Sequence, residues 1–361
     1  MQRKVFGAAL LGFFAACGGS SSARPDPALP ADPAVSAATP PSMGAIDPGA
    51  SGPTPSVPST PAASGAMAGD PASAAPASAG KASGGGLKRK EAAAYVLSLI
   101  NRDRKAQGLA PVVWDETAAT AGQRHANDLA ENGVTAHPGT DGSVPEQRYT
   151  EASGEDFVME NAGCLADGVK RAIDPDPVFS KESLDRVEKA FMDEVPPADG
   201  HRRNILTKSH TGVGVGLAGI RGVDLACMVQ EFTDDYGSYA PLPRRAPVGA
   251  TIHVEGKLRA PAKIMGVGLS RVDPLGPMTA AALSKTHVYA IPSPYALYFP
   301  PGYKSQIPLK VDEAANAFSI DVPLDDRKKP GLYGVSVWAT FPGSKDLVMV
   351  SLRTVDVGGK R

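Results

Sequence analysis

Two segments of the sequence carry side chains that could take part in chemistry. The first, residues 200–206, places His201 with two arginines after a turn rich in Pro, Asp and Gly. The strand expected next, residues 212–217, alternates glycine with Val and Leu, so one of its faces is bare. Another part of the chain must therefore pack closely there, and a histidine just before such a strand can point into a cleft.

The second segment is an expected helix that begins at Ser180 or Ser183. Leu184, Val187 and Phe191 have helical spacing, and Glu194 falls on the same apolar face at 100° per residue. A carboxylate on such a face is costly to bury alone, so Glu194 needs a partner, a metal ion or a solvated cavity. The alternative is that Glu194 lies in a frayed last turn and reaches water.

The chain begins with features typical of an exported protein. Residues 1–17 combine a basic start with an apolar run too short to span a bilayer, which predicts a signal peptide. The segment 14–17 is similar to a bacterial lipobox and predicts lipidation of Cys17; an ordinary signal cleaved after Ala-Ala is the alternative. We expect an exported protein that is anchored through Cys17 to a membrane of the bacterial cell envelope, at the outer membrane or cell surface.

Composition divides the rest of the chain. Residues 18–86 are almost entirely Ala, Pro, Ser and Gly, which predicts a disordered stalk reaching about 45 Å. The formal net charge of −1 gives no support for nucleic acid as a partner. Residues 87–238 mix helical and strand patterns, so we expect an α+β domain with a layered core.

Within 87–238, several local signals stand out. Asp115 is a good N-cap for a helix ending near Gly133, and Ser143 with Glu146 fits a capping box for a shorter one. His125 falls on the buried face of its helix, which favours a core histidine over a ligand. The two remaining cysteines, Cys164 and Cys227, could pair in an oxidising compartment or stay apart.

Residues 241–361 contain short β-rich runs broken by Pro, Gly or Asp, which predict a β-sandwich. No metal, nucleophile or phosphate-binding pattern is found there, and His253 and His287 stand alone. The expected strands are residues 250–257, 262–271, 286–291, 305–311, 316–323, 332–341 and 346–357.

Residues of about 90 to 236 resemble the CAP superfamily (cysteine-rich secretory proteins, antigen 5 and pathogenesis-related 1; the SCP domain), specifically its bacterial secreted branch. The similarity lies in an ordered series of motifs rather than in any one of them. The series comprises Leu99-Ile100-Asn101 with Arg104, Val113-Trp114-Asp115, the loop 137–143, Glu160-Asn161-Ala162, the segment 200–206, the strand 212–216, and Gln230 with Phe232.

The resemblance implies an α-β-α sandwich with a cavity lined by two histidines and two glutamates, where family members have been seen to hold a divalent metal. It places His137, Glu160, Glu194 and His201 at those four positions, with His137 and His201 as metal ligands. The sequence departs from the family pattern at Met159, at Phe191, and in the lengthened link 195–199 before His201.

Two imidazoles and two carboxylates suit Zn²⁺ or another divalent ion with open positions for water. The favoured hypothesis is a binding or interaction module that holds a metal, a small molecule, a lipid or a protein ligand, because no complete catalytic motif is present. A metal-assisted envelope hydrolase acting on peptide, glycan or ester is the rival. The third alternative is a buried polar network that only stabilises the fold.

Overall fold

The computed structural model describes residues 86–286, 289–344 and 346–359. The expected signal peptide with Cys17, the stalk up to residue 85, and His287 lie outside the described residues. The elements of the first region are β1 (Leu87–Lys88), α1 (Arg89–Ala106), β2 (Val113–Trp114), α2 (Glu116–Asn132), α3 (Pro145–Glu151), β3 (Phe157–Gly163), β4 (Val178–Phe179), α4 (Lys181–Met192), α5 (Gly200–Ile205), β5 (Gly212–Gly219) and β6 (Ala226–Asp234).

The centre of this region is a four-stranded sheet of order β2-β5-β6-β3. Strand β2 runs parallel to β5, and the other neighbours are antiparallel. Helices α1 and α4 share an apolar core with one face of the sheet, to which β5 contributes Val213, Val215 and Leu217. Helix α2 packs on the opposite face. These three layers confirm the expected α-β-α sandwich.

The glycines of β5 explain how closely α2 approaches the sheet. A Cβ atom on Gly214 would overlap the backbone of Ala119, and one on Gly216 would overlap the backbone of Gly122. The bare strand face expected from the sequence is therefore covered by a helix whose backbone lies directly on it. This contact fixes α2, and with it the loop that follows α2, relative to the sheet.

Capping residues set the start of two helices: Asp115 as the sequence predicts, and Ser180 rather than the alternative Ser183. The Asp115 side chain accepts a hydrogen bond from Ala118 N at 2.9 Å, and Ser180 Oγ accepts one from Ser183 N at 3.1 Å. The expected capping box at Ser143 and Glu146 is wrong. Helix α3 begins at Pro145 without a side-chain cap, because the Glu146 carboxylate is instead buried against the hydroxyl of Tyr289.

The second region is a β-sandwich, as expected. The elements are β7 (Gly237–Tyr239), β8 (Arg245–Ala246), β9 (Thr251–Leu258), β10 (Lys263–Val272), α6 (Ala280–Leu283), β11 (Ala296–Tyr298), β12 (Lys310–Asp312), β13 (Ala317–Pro323), β14 (Gly331–Thr340) and β15 (Val348–Val357). The two sheets have the orders β11-β10-β14-β15-β8 and β12-β13-β9-β7, and they share one apolar core.

Several details of the second region differ from the sequence expectation; for example, the expected strand 305–311 is a strand only from Lys310. The sandwich begins at β7, a few residues before the expected start at 241, because Gly237–Tyr239 pairs with β9. Residues 289–291 form no strand, and the neighbour of β10 is β11 further along the chain. The stretch between β10 and β11 contains the short helix α6, which starts at the N-cap Thr279. None of the helices in the described ranges is long and apolar enough to cross a membrane.

A buried carboxyl group, that of Glu188, connects α4 to the sheet. Glu188 is fully buried, and one of its oxygens accepts a hydrogen bond of 2.5 Å from Gln230 of β6. The other oxygen has no hydrogen-bond partner among the described residues. Burial raises the pKa of Glu188 to about 8. The folded protein therefore keeps this carboxyl protonated at pH values where the unfolded chain has lost the proton.

Replacing Gly214 by alanine should destabilise the protein by about 3 kcal/mol or more, because the new methyl group must displace the α2 backbone. Urea denaturation followed by circular dichroism measures the change. Gly200→Ala is the matched control, since no atom outside its own helix lies within 4 Å of a Cβ added there. Equal effects of the two substitutions would show that α2 does not lie directly on β5.

Glu188→Gln should change how stability depends on pH. Between pH 4.5 and about 8 the unfolded wild type is deprotonated at Glu188 while the folded form is not, so wild-type stability falls as pH rises. Wild type therefore takes up a proton at Glu188 when it folds, and the Gln variant does not. Its stability relative to wild type should thus rise by up to about 1.4 kcal/mol per pH unit in that window and level off above it.

Denaturation curves at a series of pH values measure this difference. Glu182→Gln, at an exposed position of the same helix, controls for removing one carboxylate from α4. Parallel stability curves for wild type and Glu188→Gln across the window would contradict the raised pKa.

Candidate functional site

The first histidine of the expected tetrad is held by the first glutamate. His137 lies in the loop after α2, and Glu160 lies in β3. The ring Nδ1 of His137 donates a hydrogen bond of 2.9 Å to Glu160 Oε1. The His137 side chain is 29% exposed whereas that of Glu160 is 1% exposed. The buried carboxylate therefore fixes the orientation of a ring whose other edge can reach solvent.

Glu160 is itself held by an arginine that the sequence argument missed. Arg148 of α3 donates a 2.6 Å hydrogen bond to Glu160 Oε2, and both side chains are 1% exposed. The same guanidinium donates to the backbone oxygens of His137 at 3.0 Å and Ser143 at 2.9 Å. Arg148 of α3 therefore connects the loop that carries His137 to strand β3.

A fully buried histidine, His125, lies beside this ion pair. His125 Nε2 lies 2.7 Å from the backbone oxygen of Ala136 and 3.6 Å from Glu160 Oε1. Burial, followed by the charge of Arg148, lowers the pKa of His125 to about 4, so the ring is neutral at pH 7. Burial acts to raise the pKa of Glu160, but His125 and Arg148 outweigh it and hold that pKa below its ordinary range. At neutral pH, Arg148 supplies the charge that keeps Glu160 ionised.

A further carboxyl lies opposite Glu160 in the sheet. Glu231 of β6 is the register partner of Glu160 and is fully buried. Neither Glu231 oxygen has a hydrogen-bond partner among the described residues. Burial, followed by the negative charge of Glu160, raises the pKa of Glu231 well above its ordinary value. Its surroundings therefore disfavour a second negative charge beside Glu160.

The second histidine is held by the second glutamate. Glu194 lies two residues beyond the end of α4, and its Oε1 accepts a hydrogen bond of 2.5 Å from His201 Nδ1. Its Oε2 accepts from the backbone N–H groups of His201 at 2.8 Å and Arg202 at 3.4 Å. The Glu194 side chain is 14% exposed. It thus caps the first turn of α5 while it orients the ring.

The two His–Glu pairs lie on opposite sides of β3, which is an edge strand of the sheet. Glu160 points towards α2, and the next residue, Asn161, points to the other face. Asn161 Nδ2 donates to the backbone oxygen of His201 at 3.2 Å and to Gln230 Oε1 at 3.0 Å. The His201 ring also packs on Phe191, with ring centroids 4.6 Å apart. Adjacent residues of one strand therefore position both histidines.

Each ring uses Nδ1 for its glutamate and has no hydrogen bond at Nε2 to any described residue. The His201 side chain is 23% exposed, similar to that of His137. A histidine whose Nδ1–H binds a carboxylate is oriented to offer Nε2 to a metal ion or another ligand. The described residues contain no group of three or more His, Cys, Asp or Glu side chains arranged to hold a metal. Each Nε2 atom is therefore left without a described protein partner.

Several other polar side chains and the two cysteines have structural positions. His210 is buried, with its ring nitrogens 2.6 Å from Asp234 Oδ1 and 2.8 Å from Asn204 Oδ1. Arg203 pairs with Asp199 one helical turn away. Cys164, directly after β3, forms a disulfide bond with Cys227 of β6. His253 is an exposed residue of the sandwich, next to Asp321 and Glu255.

Sequence reasoning missed the residues that support the tetrad, namely Arg148, Glu231, Asn161 and Gln230. Asn161 and Gln230 stand out in the sequence only as parts of the motif series, and Arg148 falls within the short helix expected after Ser143. A buried charge at Arg148 has no signal in a seven-residue helix, because periodicity cannot be read over so short a span. Glu231 shares one face of β6 with Cys227 and Val229, because side chains alternate along a strand. This alternation was the sequence signal that could have predicted its burial.

Two comparisons relate this chain to known proteins. Residues 97–232, less than half of the chain, match the profile of the Cysteine-rich secretory protein family, CAP. Among solved structures, the chain is similar to an extracellular protein containing a SCP domain from Bacillus anthracis str. Ames. That match has 20% sequence identity and a TM-score of 0.30, and it covers 40% of this chain and 41% of that protein.

The chain thus spans less than half the length of that solved protein. No curated protein matches. The family profile covers both His–Glu pairs, the edge strand β3 and the helices on both faces of the sheet. Residues 97–232 of this chain are therefore a domain of the CAP superfamily.

Proposed function

We propose that this protein is an exported binding or interaction module whose ligand contacts the two His–Glu pairs beside β3. The observation that carries the proposal is that each ring is fixed through Nδ1 and keeps Nε2 free of hydrogen bonds to the described residues. Preorganised imidazoles at partly exposed positions reduce the entropy that a ligand must overcome on binding.

A divalent cation such as Zn²⁺ is the ligand that this donor chemistry favours. Neutral imidazole is a common zinc ligand, and a carboxylate on the second ring nitrogen raises its basicity. His137 and His201 would hold the ion, while Glu160 and Glu194 would orient the rings. A small molecule, a lipid or a protein segment that supplies polar atoms to the two rings is the alternative class of ligand.

Binding is favoured over hydrolysis by the state of the two glutamates. Glu160 has one oxygen bonded to His137 and the other to Arg148, and it is almost fully buried. Glu194 has one oxygen bonded to the His201 ring and the other to backbone N–H groups. Every oxygen of the two carboxylates already accepts a structural hydrogen bond, which holds both glutamates in place and disfavours the proton transfer that a metal-assisted hydrolase would require.

The location of the protein forms part of the proposal. The matching family is named for secretory proteins, and residues 1–17 have the pattern of an export signal. We place the protein on the bacterial cell envelope, tethered to a membrane by a lipid on Cys17. The low-complexity residues 18–86 would separate the domain from that membrane.

Isothermal titration calorimetry with ZnCl₂ tests the metal version on the chain purified from residue 18 onward. We expect one principal site in wild type and a loss of at least about tenfold in affinity in His137→Ala and in His201→Ala. His253→Ala is the matched control for adventitious binding, because His253 is exposed and contacts two carboxylates. Zinc binding that persists in both cleft variants, or no zinc binding in wild type, would contradict the metal version.

A further inference from the structure

We infer that the β-sandwich region helps to form the site of the two His–Glu pairs. Its segment 276–286, together with Tyr289, holds the loop that carries His137 in place. We call these residues the brace. They follow β10 and include α6. The inference deepens the proposed function, since it concerns the same cleft and assigns a positioning role to residues outside the family match.

The first contact is apolar. Leu283 of α6 is 1% exposed and belongs to a buried cluster in which every other member lies between Ala126 and Val229. One member is Ala136, the residue directly before His137, and another is the Cys164–Cys227 pair. Leu283 therefore completes the core of the CAP domain rather than that of the sandwich.

The second contact is between backbones on the other side of His137. Met278 N donates a hydrogen bond of 2.7 Å to Thr140 O. Gly142 lies so close to Gly276 that a Cβ atom would overlap its backbone, and Gly142 has a φ of +82°. The brace thus packs into the apolar cluster that contains Ala136 and binds the backbone of Thr140, so the loop cannot move away without breaking these contacts.

The third contact acts through α3 on the ion pair between Arg148 and Glu160. The Tyr289 hydroxyl donates a hydrogen bond to Glu146 Oε1, and Glu146 is 3% exposed. Burial raises the pKa of Glu146, so the hydroxyl gives a polar partner to a group that would otherwise be costly to bury. Glu146 lies in α3, two residues before Arg148, which binds both Glu160 and the backbone of His137. Tyr289 is therefore a positioning residue for His137 that acts through α3.

Hydrogen exchange followed by mass spectrometry tests this inference on the same chain from residue 18 onward. In Tyr289→Phe and in Leu283→Ala, we expect peptides covering 136–143 to exchange about tenfold faster, because the loop opens without its brace. Peptides covering 200–206, which carry His201 and do not contact the brace, should exchange at the wild-type rate. Leu283→Met should retain protection, since it keeps the apolar volume.

Leu275→Ala is the matched control, because Leu275 precedes the brace and is 49% exposed. A second readout is the rate at which diethyl pyrocarbonate modifies the two rings. That rate should increase for His137 and stay constant for His201 in the Tyr289→Phe variant. Unchanged protection of 136–143 in both brace variants, or an equal increase at 200–206, would overturn the inference. Neither readout uses a ligand, so the outcome is independent of the zinc titration.

Discussion

The buried ion pair between Arg148 and Glu160 is the interaction on which the rest of the site depends. Removing two charges from water is expensive, and a buried pair persists only where further hydrogen bonds complete it. Here the guanidinium also binds two loop carbonyls, and the carboxylate also binds His137. The residues around the pair carry little competing charge, because His125 is neutral at pH 7 and burial disfavours the charged form of Glu231. The loop, α3 and β3 are therefore joined around a single charged contact.

The two His–Glu pairs are built by different means although they look alike in sequence. The Glu160 pair depends on long-range contacts from α3 and, through Tyr289, from the β-sandwich region. The Glu194 pair is local, since the carboxylate caps the helix that carries its own histidine. A ligand between them would thus contact one ring fixed by tertiary structure and one fixed by a short turn. In both cases the glutamate is occupied by structural bonds, which favours binding over proton transfer.

The sequence was sufficient for features that follow from local periodicity and motif order. The bare glycine face of β5, the N-cap at Asp115 and the buried His125 were predictable, because each reflects neighbours along one element. The three-layer sandwich followed from the resemblance carried by the motif series. The partners of Glu160 were not, since Arg148 and Glu231 meet it only through tertiary packing. Glu146 shows the limit clearly: its spacing from Ser143 fits a capping box, yet a tyrosine 143 positions later takes its carboxylate.

A double-mutant cycle on Arg148 and Glu160 tests the central claim most directly. Arg148→Met leaves a buried carboxylate without its charge partner, and Glu160→Gln leaves a buried guanidinium, so each single change should cost about 3–5 kcal/mol. The double variant should lose much less free energy of unfolding than the sum of the two single losses. The difference is a coupling free energy of about 2 kcal/mol or more. Single effects below about 1 kcal/mol that add without coupling would contradict the claim that this pair organises the cleft.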